Sequence, residues 1–185
     1  WGHTPKQVLQ SLGYGPDLQS KSSLGKPIDF IHRRTESADF YFIRNPDSVP
    51  AQLEMAFRVT HKQPELWDAT DLSQRPIRIF VQENGYTQLP LSLPAFGSAF
   101  VVFERPIDTS LPHLTALSQE GQRLFPAEGN ALDRAGQLAW EKTEKAGWQL
   151  QAAAGTYTAT WSHGTIDTLV VQPLRERELT GPWEV

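Results

Sequence analysis

The segment that most restricts what this chain can become is Ala51-Gln-Leu-Glu-Met-Ala-Phe-Arg-Val59, which is apolar at every odd position. Successive side chains of a strand point to opposite faces. Ala51, Leu53, Met55, Phe57 and Val59 therefore line one side, and Gln52, Glu54 and Arg58 the other. The pattern predicts a half-buried strand with one wet face, and its dry face needs a second layer to cover it.

The neighbouring segments supply that layer as strands. Ile28 to Arg33 and Ala38 to Asn45 flank a polar turn, Arg34 to Ser37, and carry apolar residues on both faces. That composition predicts central strands covered on both sides. Ile77 to Gln82 and Tyr86 to Leu93 flank Asn84-Gly85, a pair that tolerates positive φ and marks a hairpin. Pro90 removes a ladder donor from the return strand, so that strand is expected at an edge or a bulge. Ser98 to Phe103 closes the series as a continuous apolar run. A parallel sheet would need crossovers of about a dozen residues or more, and none is present. The expected class is all-β: an antiparallel β-sandwich, immunoglobulin-like or jelly-roll-like, with a short N-terminal helical arm.

Residues 1–27 read as that arm. Thr4-Pro5 offers an N-cap followed by Pro at the first helical position, Val8, Leu9 and Leu12 form an apolar stripe, and Gly13 is a stop. Gln19 to Lys26 reads as loop. The sandwich domain is expected over 28–173, with 106–146 as an irregular insertion whose leucines follow no period. After it, Trp148 to Leu150, Thr156 to Trp161 and Thr165 to Val171 restore the strand pattern, with Ser162-His163-Gly164 as a turn. Residues 174–185 read as the start of a following β domain. The chain opens at Trp1 and its single methionine is Met55. It is therefore expected to be processed or cut from a longer polypeptide.

Composition removes several classes of function. There is no cysteine, hence no disulfide framework and no thiol nucleophile. A net charge of −4 gives no basic stripe for nucleic acid and no polybasic membrane patch. No run approaches the roughly 18 apolar residues of a membrane span. Six Trp, nine Phe and four Tyr fit short strands, and most are expected in the core.

Glycoside hydrolysis uses two carboxylates flanking the sugar bond. Glu36, Asp39, Glu65 and Asp68 are available, but no spacing selects a pair, so no catalytic residue is assigned. His61, His113 and His163 show no metal-ligand spacing, and no metal or cofactor is expected. His32-Arg33-Arg34 stands out at the end of a strand. An arginine fork suits carboxylates or paired hydroxyls, whereas the plain alternative is an ion pair with Glu36 or Asp39. Trp67-Asp68 is the second candidate, a ring on which a sugar can stack beside an acceptor; a Trp folded over the end of the sandwich explains it equally well.

These segments resemble a family. Ile31-His-Arg-Arg-Thr-Glu-Ser-Ala-Asp-Phe-Tyr-Phe-Ile-Arg-Asn45 is similar to a stretch just past the catalytic domain of α-L-rhamnosidases of glycoside hydrolase family 106. Phe57-Arg-Val59, Pro64-Glu-Leu-Trp-Asp68 and Leu93 to Phe103 look like its continuation in the same order, and Val8 to Asp17 like its lead-in. Gly155-Thr-Tyr157 and Leu179-Thr-Gly-Pro-Trp183 resemble the approach to a galactose-binding-like jelly roll. The resemblance is weakest over 106–146.

The resemblance implies a piece of a glycoside hydrolase without its (β/α) barrel, and no catalytic residue carries over. The leading expectation is a non-catalytic accessory domain that supports the barrel, with His32 and Arg33 at the rim of its sugar site. An autonomous carbohydrate-binding module using Trp67, Tyr41 or Trp161 is the alternative, ahead of an inert spacer and a stand-alone enzyme. The expected partners are a glycan from plant or bacterial polysaccharide and the catalytic domain of the same polypeptide. The expected location is periplasmic or secreted.

Overall fold

A computed structural model describes residues 2–127, 139–143 and 147–173. It is built of antiparallel sheets with one short helix, the all-β sandwich expected from the sequence. The first sheet runs in the order β1 (Leu18–Ser22), β4 (Ala51–Phe57), β8 (Tyr86–Leu93), β7 (Val81–Glu83). The second runs β2 (Asp29–Arg34), β3 (Asp39–Arg44), β9 (Ser98–Pro106), β5 (Lys62–Trp67), β6 (Gln74–Pro76).

The dry faces of these two sheets meet. Leu53, Met55, Phe57, Leu89, Leu91 and Leu93 of the first sheet pack against Tyr41, Ile43, Val101 and Phe103 of the second. At the centre Phe57 stands edge-on to Tyr41, centroids 4.8 Å apart, and tilted against Phe103 at 5.3 Å. The alternation of β4 thus does what its period requires. Pro90 lies opposite Glu54 and beyond the residues that β7 engages, so β8 has a free edge there, as a strand proline demands.

Two expectations are corrected. β2 is an edge strand, and Phe30 and Ile31 are 43% and 53% exposed instead of covered on both sides. Part of the stretch expected as loop is β1, which pairs Leu18 with Phe57 and closes an edge of the first sheet. The segment around Pro64, for which the sequence suggests no strand, is β5. A register shift between Lys62 and Pro64 absorbs the proline, and Gln63 donates to the carbonyl of Ile77 at 2.8 Å.

The helix α1 (Pro5–Ser11) starts at Thr4, whose N–H donates to Gln7 Oε1 at 2.8 Å while its hydroxyl accepts from the Gln7 N–H. This reciprocal cap fixes the first turn. None of its residues is buried, so the stripe Val8, Leu9 and Leu12 faces outward.

The region expected to be irregular supplies β10 (Leu114–Gln119) and β11 (Gln122–Phe125) to a third sheet, whose other two strands fall where strands were expected. Its order is β11, β10, β14 (Gly155–Trp161), β15 (Ile166–Val171). A hairpin of β12 (Ala139–Thr143) and β13 (Gly147–Gln151) lies between β11 and β14 in sequence. The third sheet has its own core of Leu114, Leu117, Leu124, Phe125, Tyr157 and Ala159, joined by Ile79. Ile79 forms a parallel bridge with Leu114, the Phe80 N–H donates to the Leu114 carbonyl at 2.9 Å, and Phe80 stacks on His113 at 3.8 Å. The residues expected to begin a following domain, 174–185, lie outside the described residues.

Candidate functional site

His32 and Arg33 are adjacent on a strand, so their side chains leave on opposite faces. His32 lies over the ring of Tyr41, centroids 4.1 Å apart and nearly parallel. Its Nε2 is 3.0 Å from Asp39 Oδ1, and its Nδ1 is 3.4 Å from Asp17 Oδ2. Arg34 Nε donates to the same Asp39 oxygen at 2.6 Å, and Lys62 Nζ lies 3.5 Å from Oδ2. Arg58 holds Asp17 through Nε at 3.1 Å. The Arg34–Asp39 pair is the ion pair that the sequence allowed.

These contacts lower both carboxylates. Arg58's hydrogen bond is the main cause at Asp17, with His32 adding to it. At Asp39 burial opposes ionisation, but hydrogen bonds from Arg34 and His32 outweigh it. Burial pushes the phenol of Tyr41 upward, and the charges of Asp17 and Asp39 add to the effect. Asp17 precedes β1 of the first sheet, whereas His32 and Asp39 belong to the second. The cluster therefore closes one end of the sandwich, and its hydrogen-bonding atoms are turned toward one another.

Arg33 belongs to the opposite, outer face of the second sheet. It is opposite Phe40, whose ring stands edge-on to Trp67 at 6.0 Å. The next row across the sheet is Ile31, Phe42, Phe100, Trp67 and Gln74. Phe42 and Phe100 are in ring contact at 5.1 Å. This aromatic row is half-buried or exposed, and among the described residues the one fully buried apolar residue on its face is Val102, opposite Phe40. Trp67 is the last residue of β5, and its Nε1 donates to Glu65 Oε2 at 3.0 Å.

Past Trp67 the chain forms a loop closed by the Asp68 N–H donating to the Ser73 carbonyl at 2.9 Å. Asp68 Oδ1 accepts from both the N–H and the hydroxyl of Thr70, so that oxygen shapes the turn. A groove of about 210 Å³ runs between Trp67, Phe100, Leu72 and Gln74. Arg33 and Trp67 thus share one face, Asp68 sits at its margin, and His32 is on the other side.

A larger cleft of about 350 Å³ opens where the third sheet meets the wet face of the first. Gln19, Lys21, Glu54, Glu83, Gln88 and Arg123 line it. Lys21 donates to Glu54 Oε1 at 3.0 Å, and the Ala127 N–H donates to Oε2. The alternation of β4 put Glu54 on the wet face, yet it is buried because residue 127 closes over it. No local pattern could have disclosed that contact.

The carboxylates weighed for sugar chemistry are otherwise employed. Asp39 is ion-paired, Glu65 anchors Trp67 and lies 3.8 Å from Arg105, Asp68 caps a turn, and Glu36 is exposed in one. Among the described residues no group of three or more His, Cys, Asp or Glu is placed to hold a metal.

Comparison with known proteins places these features. The profile of a family described as alpha-L-rhamnosidase matches residues 1–81, which include β1 to β5 and the charged end. A protein of Formosa agariphila named "Putative beta-glucuronidase" is 38% identical over 89 residues, covering 48% of this chain and 8% of that protein. A rhamnosidase structure from Novosphingobium sp. PP1Y shares the fold with a TM-score of 0.52 at 21% identity, over 83% of this chain and 16% of that one. The chain therefore spans a small part of the length of the proteins it matches. It is a glycoside-hydrolase-related domain, and its first 81 residues carry the α-L-rhamnosidase-like sequence.

Proposed function

We propose that this sandwich is a non-catalytic accessory domain of a larger, α-L-rhamnosidase-like glycoside hydrolase that works in the periplasm or outside the cell. The observation that carries this reading is the outer face of the second sheet. Ile31, Phe40, Phe42, Phe100 and Trp67 form a patch of large, half-buried or exposed apolar side chains there. Aromatic rows left on a sheet surface mark a surface that another body covers. The carboxylates that could have formed a hydrolytic pair serve ion pairs and turns, so bond cleavage falls to another part of the polypeptide. Its substrate would be a glycan from plant or bacterial polysaccharide. Arg33 lies on the face that meets the catalytic domain and would approach the glycan from there; His32 holds the strand that carries it.

A pair of assays tests this reading. The isolated chain and the longer polypeptide encoded around it are incubated with aryl L-rhamnosides and aryl glucuronides. The expected result is release of the aryl group by the longer polypeptide alone. Hydrolysis by the isolated chain, or a reading frame without a catalytic domain, overturns the proposal. Saturable binding of a sugar to the isolated chain, followed by tryptophan fluorescence and lost in Trp67→Ala, would instead establish an autonomous carbohydrate-binding module.

A further inference from the structure

The two ends of the second sheet differ in chemistry. The end that carries the Arg34–Ala38 turn holds Asp39, Lys62 and the cluster around His32. The other gathers three loops, 45–50, 68–73 and 94–97. Register places them together, because Arg44 is opposite Ser98 and Trp67 is opposite Phe100. Each of these loops presents a large apolar side chain to solvent. Val49 is 46% exposed, Leu72 83% and Phe96 62%.

Two of the three are held there by unusual backbone. Leu72 has φ +60° and Phe96 φ +55°, the left-handed region that bulky residues seldom enter. The loops are also fastened from below. Asn45, fully buried, donates through Nδ2 to the carbonyls of Val49 at 2.8 Å and Pro94 at 2.9 Å. The Phe96 N–H donates to the Asp47 carbonyl at 2.9 Å. Lys26 is paired with Asp47 and Arg44 with Asp29, while Asp68 and Asp71 of the 68–73 loop accept hydrogen bonds within it from Thr70 and Ser73. Together these side chains form an apolar platform, with Asp71 beside Leu72, next to the groove of Trp67, Leu72 and Phe100.

From this we infer that the loop end, with Leu72, Phe96, Val49 and the Trp67 groove, is the seat of a neighbouring domain of the same polypeptide. That domain is expected to offer an apolar side chain that fills the groove. The inference rests on the accessory-domain reading and adds to it the point of attachment. A sugar suits the groove less well, because Trp67 Nε1 is given to Glu65 and Asp68 Oδ1 to Thr70, whereas sugar hydroxyls need converging partners. The occupant is taken to be a domain of the same polypeptide because the matching part makes up only 16% of the rhamnosidase chain of like fold. Most of such a chain lies outside the sandwich and must rest on something. Pre-formed, strained loops suit a permanent seat, since nothing has to be ordered on contact.

Hydroxyl-radical footprinting of the isolated chain and of the longer polypeptide tests the assignment. The expected result is several-fold slower oxidation of Leu72, Phe96 and Trp67 in the longer polypeptide, with Ile166 on β15 equally reactive in both. Equal oxidation of the three residues in the two forms overturns it. So does protection that appears in the isolated chain together with a dimer mass, which would make a second copy the occupant.

The double variant Leu72→Asp/Phe96→Asp provides a control, since Asp tolerates the left-handed region. The isolated variant is expected to melt no lower than the parent chain, whereas the longer polypeptide should split into separate transitions. A single unchanged transition in the longer variant rejects the seat. If the longer polypeptide hydrolyses its glycoside while Leu72 and Phe96 stay exposed, the seat is wrong and the accessory reading stands. If it hydrolyses nothing, the accessory reading itself fails.

Discussion

The first two sheets and the third solve the same problem with unequal means. In the first unit two sheets face each other, and the core draws on both, with Tyr41, Phe57 and Phe103 in mutual ring contact. In the second unit a single four-stranded sheet closes over Leu114, Leu117, Phe125 and Tyr157, and borrows Ile79 and Val81 from the first unit's chain. Its outermost strand β15 has no fully buried residue, and Ile166 and Val170 are more than half exposed. A two-sided core is self-sufficient. A one-sided core needs its neighbour as a wall.

The sharpest way to break the contrast is Phe57→Ala. Removing a buried Phe costs about 3–5 kcal/mol, a large share of a typical domain's stability. Because the second unit leans on the first, both should unfold together in urea, at a much lower midpoint. Native third-sheet amide protection surviving in this variant would show the units to be independent.

Leu117→Ala strikes the other side. The expected loss is toward the lower end of about 2–5 kcal/mol, since a core one sheet deep can settle into the space. Exchange of the Thr158 and Ala159 amides should speed up while those of Leu53 and Met55 stay protected. Equal acceleration at all four would erase the asymmetry.

A smaller effect is expected at the joint. Burial, with the charge of Arg78 adding, lowers His113 to about 4, whereas the unfolded chain titrates near 6.5. Between those values the unfolded state binds more protons, so stability falls as pH drops from 6.5 toward about 4. Asp17 and Asp39 act lower down. Their stabilisation is complete above the unfolded value near 3.8 and is lost as pH falls below it. Loosening should therefore start at the junction and reach the charged end only in stronger acid. Exchange measured at pH 5 should show opening near Leu114 with the β2–β3 amides still slow, and the reverse order would refute the assignment.

The same contrast marks how far the sequence could be read. β4, β8 and β9 were legible because their dry faces meet a layer made of similar strands, so local period and tertiary burial agree. β2 misled because Phe30 and Ile31 look like core, yet an edge strand leaves them outside. β5 was hidden by Pro64 and its charges, which a register shift and the Gln63 hydrogen bonds accommodate. The third sheet was invisible as a unit because its leucines rely on Ile79, some thirty-five residues earlier than Leu114, to complete their core.

At the candidate sites, His32, Arg33, Trp67 and Asp68 could be named from their types, but not their facing. One step along β2 separates His32 from Arg33, and only the sheet shows which of them shares a side with Trp67. Leu72 and Phe96 carried no signal at all. A bulky residue with left-handed backbone looks from sequence like any loop apolar residue.

The bridge between Ile79 and Leu114 also has a bearing on synthesis. All strands of the first unit lie between Leu18 and Pro106, so they are complete before β10 leaves the ribosome. Translation adds about 5–20 residues per second, slow against the closing of hairpins. Each new length of β10 therefore emerges beside a finished surface, with Ile79 already in place as its first partner. The order of the gene becomes an order of assembly, in which the earlier half serves as the mould for the later one.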